Sequence, residues 1–148
     1  MHKTIKRITS LILVTVLVCL CATSALAVSA EHGPYEGVTV EIELLGGVST
    51  ATATLRLNNA GSLSNATGTI RIDYVYCIED GIKPSNYQTG YITKSYSLRN
   101  DGSLFSLTTV PVPSGCVLLE VTATFTATFN TANATVYYTP DPLTIDLT

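Results

Sequence analysis

Apolar and polar residues alternate one by one through several stretches of this chain. In the clearest stretch, 119–129, the odd positions are apolar and the even positions are Thr or Glu. Such two-residue alternation predicts a β-strand with one buried and one exposed face, and Thr at the exposed positions suits a pleated surface. The pattern recurs over 38–44, 50–57 and 70–78, and helical spacing appears nowhere after residue 30. We therefore predict an all-β chain.

Turn-forming residues separate these stretches. Gly46-Gly47 and Asn58-Asn59-Ala60-Gly61 each end a predicted strand, and Pro111 and Pro113 precede the longest one. Asn100-Asp101-Gly102 predicts a tight hairpin between strands at 91–99 and 103–109. Seven or eight short strands at this spacing are typical of an antiparallel two-sheet sandwich with immunoglobulin-like or fibronectin-like architecture.

The first 27 residues have the pattern of an export signal. A basic start is followed by an apolar run over 8–22, and Ala25-Leu26-Ala27 matches the small-x-small site of a signal peptidase. We predict a signal peptide at 1–27, a flexible N-terminal segment at 28–36 and a β-sandwich domain at 37–148. The product would be secreted or held at the cell surface.

Two alternatives to this processing remain open. Cleavage could instead follow Ala30, after Val28-Ser29. The apolar stretch before Ala27 is also about 20 residues long, enough to anchor an uncleaved chain in a membrane.

The charge balance after residue 27 limits the possible partners. Five basic residues stand against eleven acidic ones, a net charge of −6. A basic groove for nucleic acid or a polybasic surface for anionic lipid is therefore excluded. Membrane contact is predicted only through an uncleaved N-terminal segment.

Cys77 and Cys116 follow the exposed positions of two predicted strands. In sandwich order these are the third and sixth strands, which are antiparallel neighbours in such folds. Because exported proteins mature under oxidising conditions, we predict a Cys77–Cys116 disulfide. The alternative is a pair of free thiols.

Residues suited to catalysis are sparse. His32 is the single His after the signal segment, and no nucleophile elbow, zinc-protease or phosphate-loop motif occurs. We predict that the protein is not an enzyme and uses no cofactor or metal.

A polar segment over 79–96 carries Tyr87 and Tyr91 beside Lys83 and Lys94. Tyr offers a rigid contact surface with a polar tip, so these four residues are the candidate binding surface for an extracellular protein or glycan. The alternative is that the rings cover the edge of a sheet. Asn65 and Asn133 each begin a glycosylation acceptor pattern, which matters only if the source glycosylates.

The sequence thus favours a secreted, non-catalytic β-sandwich that acts as a binding or adhesion module. The alternative is a self-assembling matrix or surface-layer subunit. Residues 121–140 motivate it, because this uncharged stretch would accept another strand if it lay at a sheet edge. An enzyme is the least supported class.

Overall fold

The computed structural model describes residues 25–63, 65–78, 86–98, 103–109 and 111–148. They form nine β-strands: β1 (Leu26–Tyr35), β2 (Val38–Gly46), β3 (Ala51–Asn58), β4 (Asn65–Ile78), β5 (Gln88–Ser97), β6 (Leu104–Thr108), β7 (Cys116–Asn130), β8 (Thr135–Tyr138) and β9 (Leu143–Asp146). A 3₁₀ helix at Ala60–Ser62 follows β3. The strands pair antiparallel throughout, which confirms the all-β prediction.

The strands are arranged in two sheets. Sheet A has the order β1-β2-β3-β6. Sheet B has the order β5-β4-β7-β8, and β9 also pairs with β7. Strand β7 accommodates both short neighbours on one side because they use different parts of it, 127–130 for β8 and 120–123 for β9. The predicted pair of antiparallel sheets in a sandwich-like arrangement is confirmed.

The alternating apolar positions of both sheets face each other and form the core. On β2, Val38, Val40, Ile42 and Leu44 are at most 1 % exposed, and on β7 the same holds for Val121, Ala123, Phe125 and Phe129. Burial of each large apolar side chain contributes roughly 1.5–3 kcal/mol relative to its exposure to water. This shared interior holds the two sheets together.

Strand β1 is an edge strand of sheet A. It pairs with β2 from Leu26, opposite Gly46, to His32, opposite Val40. The turn residues Glu36 and Gly37, both with positive φ, join the two strands. We predicted a flexible N-terminal segment at 28–36, but every residue of this segment except the turn residue Glu36 lies in β1. Most of its side chains are exposed, so the hydrophobic pattern did not mark it as a strand.

The predicted processing site lies at the start of this strand. Ala25 directly precedes β1, and Ala27 lies within it opposite Leu45. Residues 1–24, which carry the rest of the predicted signal, lie outside the described residues.

The connection from β5 to β6 differs from the predicted hairpin. Strand β5 pairs with β4 in sheet B, whereas β6 pairs with β3 in sheet A. Residues 99–102 lie outside the described part of the chain, but the strands on either side belong to different sheets. Tyr96 of β5 and Phe105 of β6 are both buried, and their rings stack with centroids 5.2 Å apart. Packing these rings between the sheets favours a crossover over side-by-side pairing.

The structure also places the uncharged stretch 121–140. Strand β7 pairs with β4 on one side and with β8 and β9 on the other. Residues 121–130 therefore lie in a central strand of sheet B, and β8 lies at its edge.

A β-bulge in β7 decides which face of sheet B Cys116 points to. Val75 lies opposite Glu120, but Tyr76 lies opposite Leu118, so Leu119 is an extra residue in β7. An extra residue reverses the facing of every side chain beyond it. Alternation counted straight through Leu119 therefore assigned Cys116 to the wrong face.

The predicted disulfide is not formed, and both cysteines are free. Beyond the bulge, Cys77 lies opposite Val117 rather than Cys116. Residues directly opposite each other share a face and neighbours along a strand alternate, so Cys77 and Cys116 point to opposite faces of sheet B. Consistently, Cys116 packs against the core, whereas Cys77 is buried without belonging to the core cluster.

Candidate binding face

The structure places two residues of the predicted binding surface, Tyr91 and Lys94, on opposite faces of one strand. Tyr91 and Lys94 lie on β5, Tyr87 directly precedes it, and Lys83 lies outside the described residues. Tyr91 and Lys94 are three positions apart, so their side chains leave opposite faces of the strand. Lys94 shares the inner face with buried Tyr96, and its Nζ lies 4.8 Å from the centroid of that ring. Tyr91 points outward and is 64 % exposed.

Tyr91 instead joins two residues of the neighbouring strand. Asp73 of β4 lies directly opposite Tyr91, and Arg71 lies two positions away on the same outer face. The guanidinium carbon of Arg71 lies 4.5 Å from the centroid of the Tyr91 ring. This cation–π contact fixes the orientation of an exposed ring, so less conformational entropy is lost when a partner binds it.

A bidentate ion pair supports the contact. Arg71 Nε donates to Asp73 Oδ2 at 2.8 Å and Arg71 Nη2 donates to Asp73 Oδ1 at 2.6 Å. The hydrogen bond to Asp73 raises the pKa of Arg71, and the same bond lowers the pKa of Asp73 below its ordinary value. Both groups therefore remain ionised at neutral pH, and they neutralise each other.

We define the binding face as the shallow depression that this cluster forms on the outside of sheet B. Its lining includes Arg71, Asp73, Thr89, Tyr91, Glu120 and Thr122. Strands β5, β4 and β7 each contribute two of these residues, through their outward positions. The depression thus combines an aromatic ring, a neutralised ion pair, hydroxyl groups and one further carboxylate.

Rows of hydroxyl groups continue from the binding face across sheet B. Thr69 and Ser95 approach within 3.1 Å across β4 and β5, and Thr122 and Thr144 within 3.0 Å across β7 and β9. Cross-strand hydroxyl pairs of this kind stabilise a sheet by fractions of a kcal/mol each, on the order of 0.2–1. They extend a hydroxyl-bearing surface beyond the depression, across β5, β4, β7 and β9.

Gly90, next to Tyr91 on β5, leaves room for the aromatic ring of Tyr74 on β4. A Cβ at position 90 would come within 2.5 Å of the Tyr74 ring, which lies across the strand from it. The absent side chain gives the Tyr74 ring room to lie against β5. Tyr74 in turn packs beside Tyr76, with ring centroids 6.2 Å apart.

Sequence reasoning identified Tyr91 but not Arg71 and Asp73 as its neighbours. Their polar character on an alternating strand was visible, and it indicated no more than an exposed face. Only the register of β4 against β5 shows that they surround Tyr91, and no local pattern in the sequence fixes that register.

The residues considered for catalysis lie elsewhere. His32 packs edge-on against Tyr138, with ring centroids 5.4 Å apart. Within the described ranges, no group of three or more His, Cys, Asp or Glu side chains is placed to hold a metal ion. Among those same residues, no helix has the length and apolar character needed to cross a membrane.

Comparison with protein families and with curated sequences identified no relative of this chain. No family model matches the chain, and curated protein sequences contain no significant match to it. The function proposed below therefore depends on the chemistry of the chain's own side chains.

Proposed function

We propose that the protein is an exported, non-catalytic binding or adhesion module whose contact surface is the binding face. The observation that carries this proposal is the exposed Tyr91 ring held by the Arg71–Asp73 ion pair. Exposed aromatic rings with restricted motion are typical of residues that dominate binding energy at interfaces. Export is inferred from the basic, apolar and small-residue pattern of the first 27 residues.

The charges of the face indicate what kind of partner would bind. Arg71 is neutralised by Asp73, and Glu120 adds a negative charge to the same depression. The acidic balance of the chain after residue 27 also disfavours anionic partners such as nucleic acid. An extracellular protein or a glycan with hydroxyl groups fits this surface.

Arrays of glycans and of extracellular proteins test the proposal, probed with the labelled chain in its processed form. Tyr91→Ala should weaken any saturable binding about tenfold or more, because it removes the exposed ring. Tyr137→Ala is the matched control, since Tyr137 is 79 % exposed on the outer side of the same sheet but lies on β8, away from the binding face.

Equal binding by the Tyr91→Ala variant and the unchanged chain would refute the assignment of this face. Loss of binding in both Tyr variants would also contradict the assignment, because it would show that binding depends on the whole outer surface of sheet B and not on the binding face. The predicted export has its own test, which is the N-terminal sequence of the protein recovered from the culture medium. We expect it to begin at Val28.

Self-assembly into a matrix or surface layer is the second candidate function. Its first motive was the uncharged stretch 121–140, in which 121–123 and 127–130 are paired on both sides in sheet B. A different part of the chain, strand β1, provides a better-supported route to self-association.

A further inference from the structure

The four edge positions of the two sheets differ in how well they are protected against pairing with another chain. Strand β6 has five residues, and β8 and β9 have four each. Short edge strands offer few free backbone groups. Strand β5 is ten residues long, but it carries Lys94 on its inner side, and an inward-pointing charge at an edge opposes pairing.

Strand β1 keeps residues 28–35 after cleavage behind Ala27, which makes it longer than β6, β8 or β9, and it lacks that protection. It contains no Lys or Arg, and its first charged residue is Glu31. It pairs with β2 on one side only, so alternate backbone N–H and C=O groups point away from the sheet along its other side. Pro34 lies at the far end of the strand and leaves 28–32 as an uninterrupted edge.

An apolar side chain of this segment is also left partly uncovered. Val28 lies opposite Leu44 of β2, on the face that looks toward sheet B. Leu44 is fully buried, whereas Val28 is 38 % exposed. The inner face of sheet A therefore extends beyond the part that sheet B covers.

We propose that β1 pairs edge to edge with β1 of a second copy of this chain, joining the two A sheets into one continuous sheet across a twofold axis. The segment 28–32 carries the contact, and it remains after cleavage behind Ala27. This proposal goes beyond the binding function, because it involves an edge of sheet A instead of the outer face of sheet B, and a different partner.

The charges of the segment favour a second copy as the occupant. In an antiparallel pairing centred on Ala30, each Glu31 lies opposite Ser29 of the partner strand, and each Val28 lies opposite His32. No carboxylate faces another carboxylate across the new contact. Within each chain, Glu31 lies opposite Glu41 of β2. The small Ala30 side chains meet at the axis, where a C2 contact is self-complementary.

Sedimentation equilibrium of the processed chain tests this proposal over protein concentrations from about 1 μM to 1 mM. We expect the mass to rise from that of a monomer to that of a dimer. Hydrogen exchange should slow at the amides of 29–32 as the dimer forms. A constant monomer mass over the whole range would overturn the proposal.

Val28→Lys places a charge at the proposed contact and should raise the dimer dissociation constant at least tenfold. Gln88→Lys is the matched control, because Gln88 is an exposed residue at the same kind of position on β5, the other long edge. Circular dichroism and thermal unfolding of both variants establish that each retains the fold. Dimerisation unaffected by Val28→Lys, equally weakened by Gln88→Lys, or accompanied by exchange protection outside β1 would each refute the β1 contact.

Discussion

A tyrosine is buried between the sheets on each of the two long sides of the sandwich, and the two tyrosines differ in their hydrogen bonding. On the side formed by β5 and β6, Tyr96 stacks on Phe105, and its hydroxyl donates to the Ser106 carbonyl. On the side where β1 meets β8, Tyr138 is as well buried, but its hydroxyl has no hydrogen-bond partner among the described residues. The tyrosine ring is thus buried on both sides, while its hydroxyl is hydrogen-bonded on only one.

The surroundings of Tyr138 explain this difference. Its ring lies against His32 and Tyr35, both from the β1 end of the molecule, and these contacts are edge-on. Three aromatic rings fill the space without bringing an acceptor to the hydroxyl. An unpartnered buried hydroxyl reduces stability by roughly 1–3 kcal/mol. The β1 side therefore contributes less to stability than the side formed by β5 and β6. It is also the side that we propose to pair with a second copy.

Replacement of the two tyrosine hydroxyls should have the largest effect and opposite signs on the two sides. Tyr138→Phe removes an unpartnered hydroxyl, so we expect the free energy of unfolding to rise by about 1 kcal/mol. Tyr96→Phe removes a hydrogen-bond donor from the Ser106 carbonyl, so we expect a decrease of similar size, about 1 kcal/mol. Urea unfolding at neutral pH measures both, and changes of the same sign would contradict the comparison.

Alkaline pH sharpens the same contrast. Burial, with a smaller contribution from Tyr35, raises the pKa of Tyr138 from 10.0 to about 12. Between these values the unfolded chain loses a proton that the folded chain retains, so stability falls as the pH rises. The Tyr138→Phe variant should lose less stability over this interval than the unchanged chain.

Charge substitutions on the two sides should give smaller effects, again of opposite sign. Glu31→Gln relieves the like-charge contact with Glu41 and should stabilise by roughly 0.2–1 kcal/mol. Asp73→Asn breaks the exposed ion pair with Arg71 opposite β5 and should destabilise by no more than about 1 kcal/mol. Thermal unfolding at low and high salt measures both differences, which should shrink as salt screens them.

The pH dependence of the Asp73 contribution follows from the direction of its shift. Arg71 lowers the pKa of Asp73 in the folded chain, so the stabilisation is present above the carboxylate's ordinary pKa. It is lost as the pH falls through the lowered value. A difference between Asp73→Asn and the unchanged chain that persisted at strongly acidic pH would contradict this assignment.

Reducing agent should have the smallest effect, which is none. Cys77 and Cys116 are free and point to opposite faces of sheet B, so no covalent link between the layers or strands is broken. We expect the melting temperature and the intact mass of the processed chain to be the same before and after reduction. A mass increase of about two daltons on reduction would reinstate the disulfide prediction.

Strand identity followed from the sequence wherever alternation was regular. Val38, Ile42 and Phe125 occupy buried positions that the two-residue period assigns to the inner face. Strand β1 was not predicted because most of its side chains are exposed on both faces, so it lacks a regular alternation of apolar and polar residues. The crossover after β5 escaped it because a short turn motif does not reveal which sheet the next strand joins.

The candidate site was predictable only in part. Tyr91 stood out as an aromatic residue in a polar segment, but Lys94, which was grouped with it, lies over the Tyr96 ring on the other face of the strand. Its true neighbours, Arg71 and Asp73, are about twenty residues earlier in the chain, and backbone pairing alone brings them to the ring. The bulge at Leu119 shows the same limit, since one extra residue in β7 moved Cys116 to the other face.

The sequence by itself determined that this chain forms strands and which side chains most of them bury, because the two-residue period is a local property of the backbone. The tertiary structure decided which strands are neighbours, which edges stay open and which outward residues meet. Those outcomes depend on register and on packing between distant segments, where a shift of one residue changes the partner of every side chain.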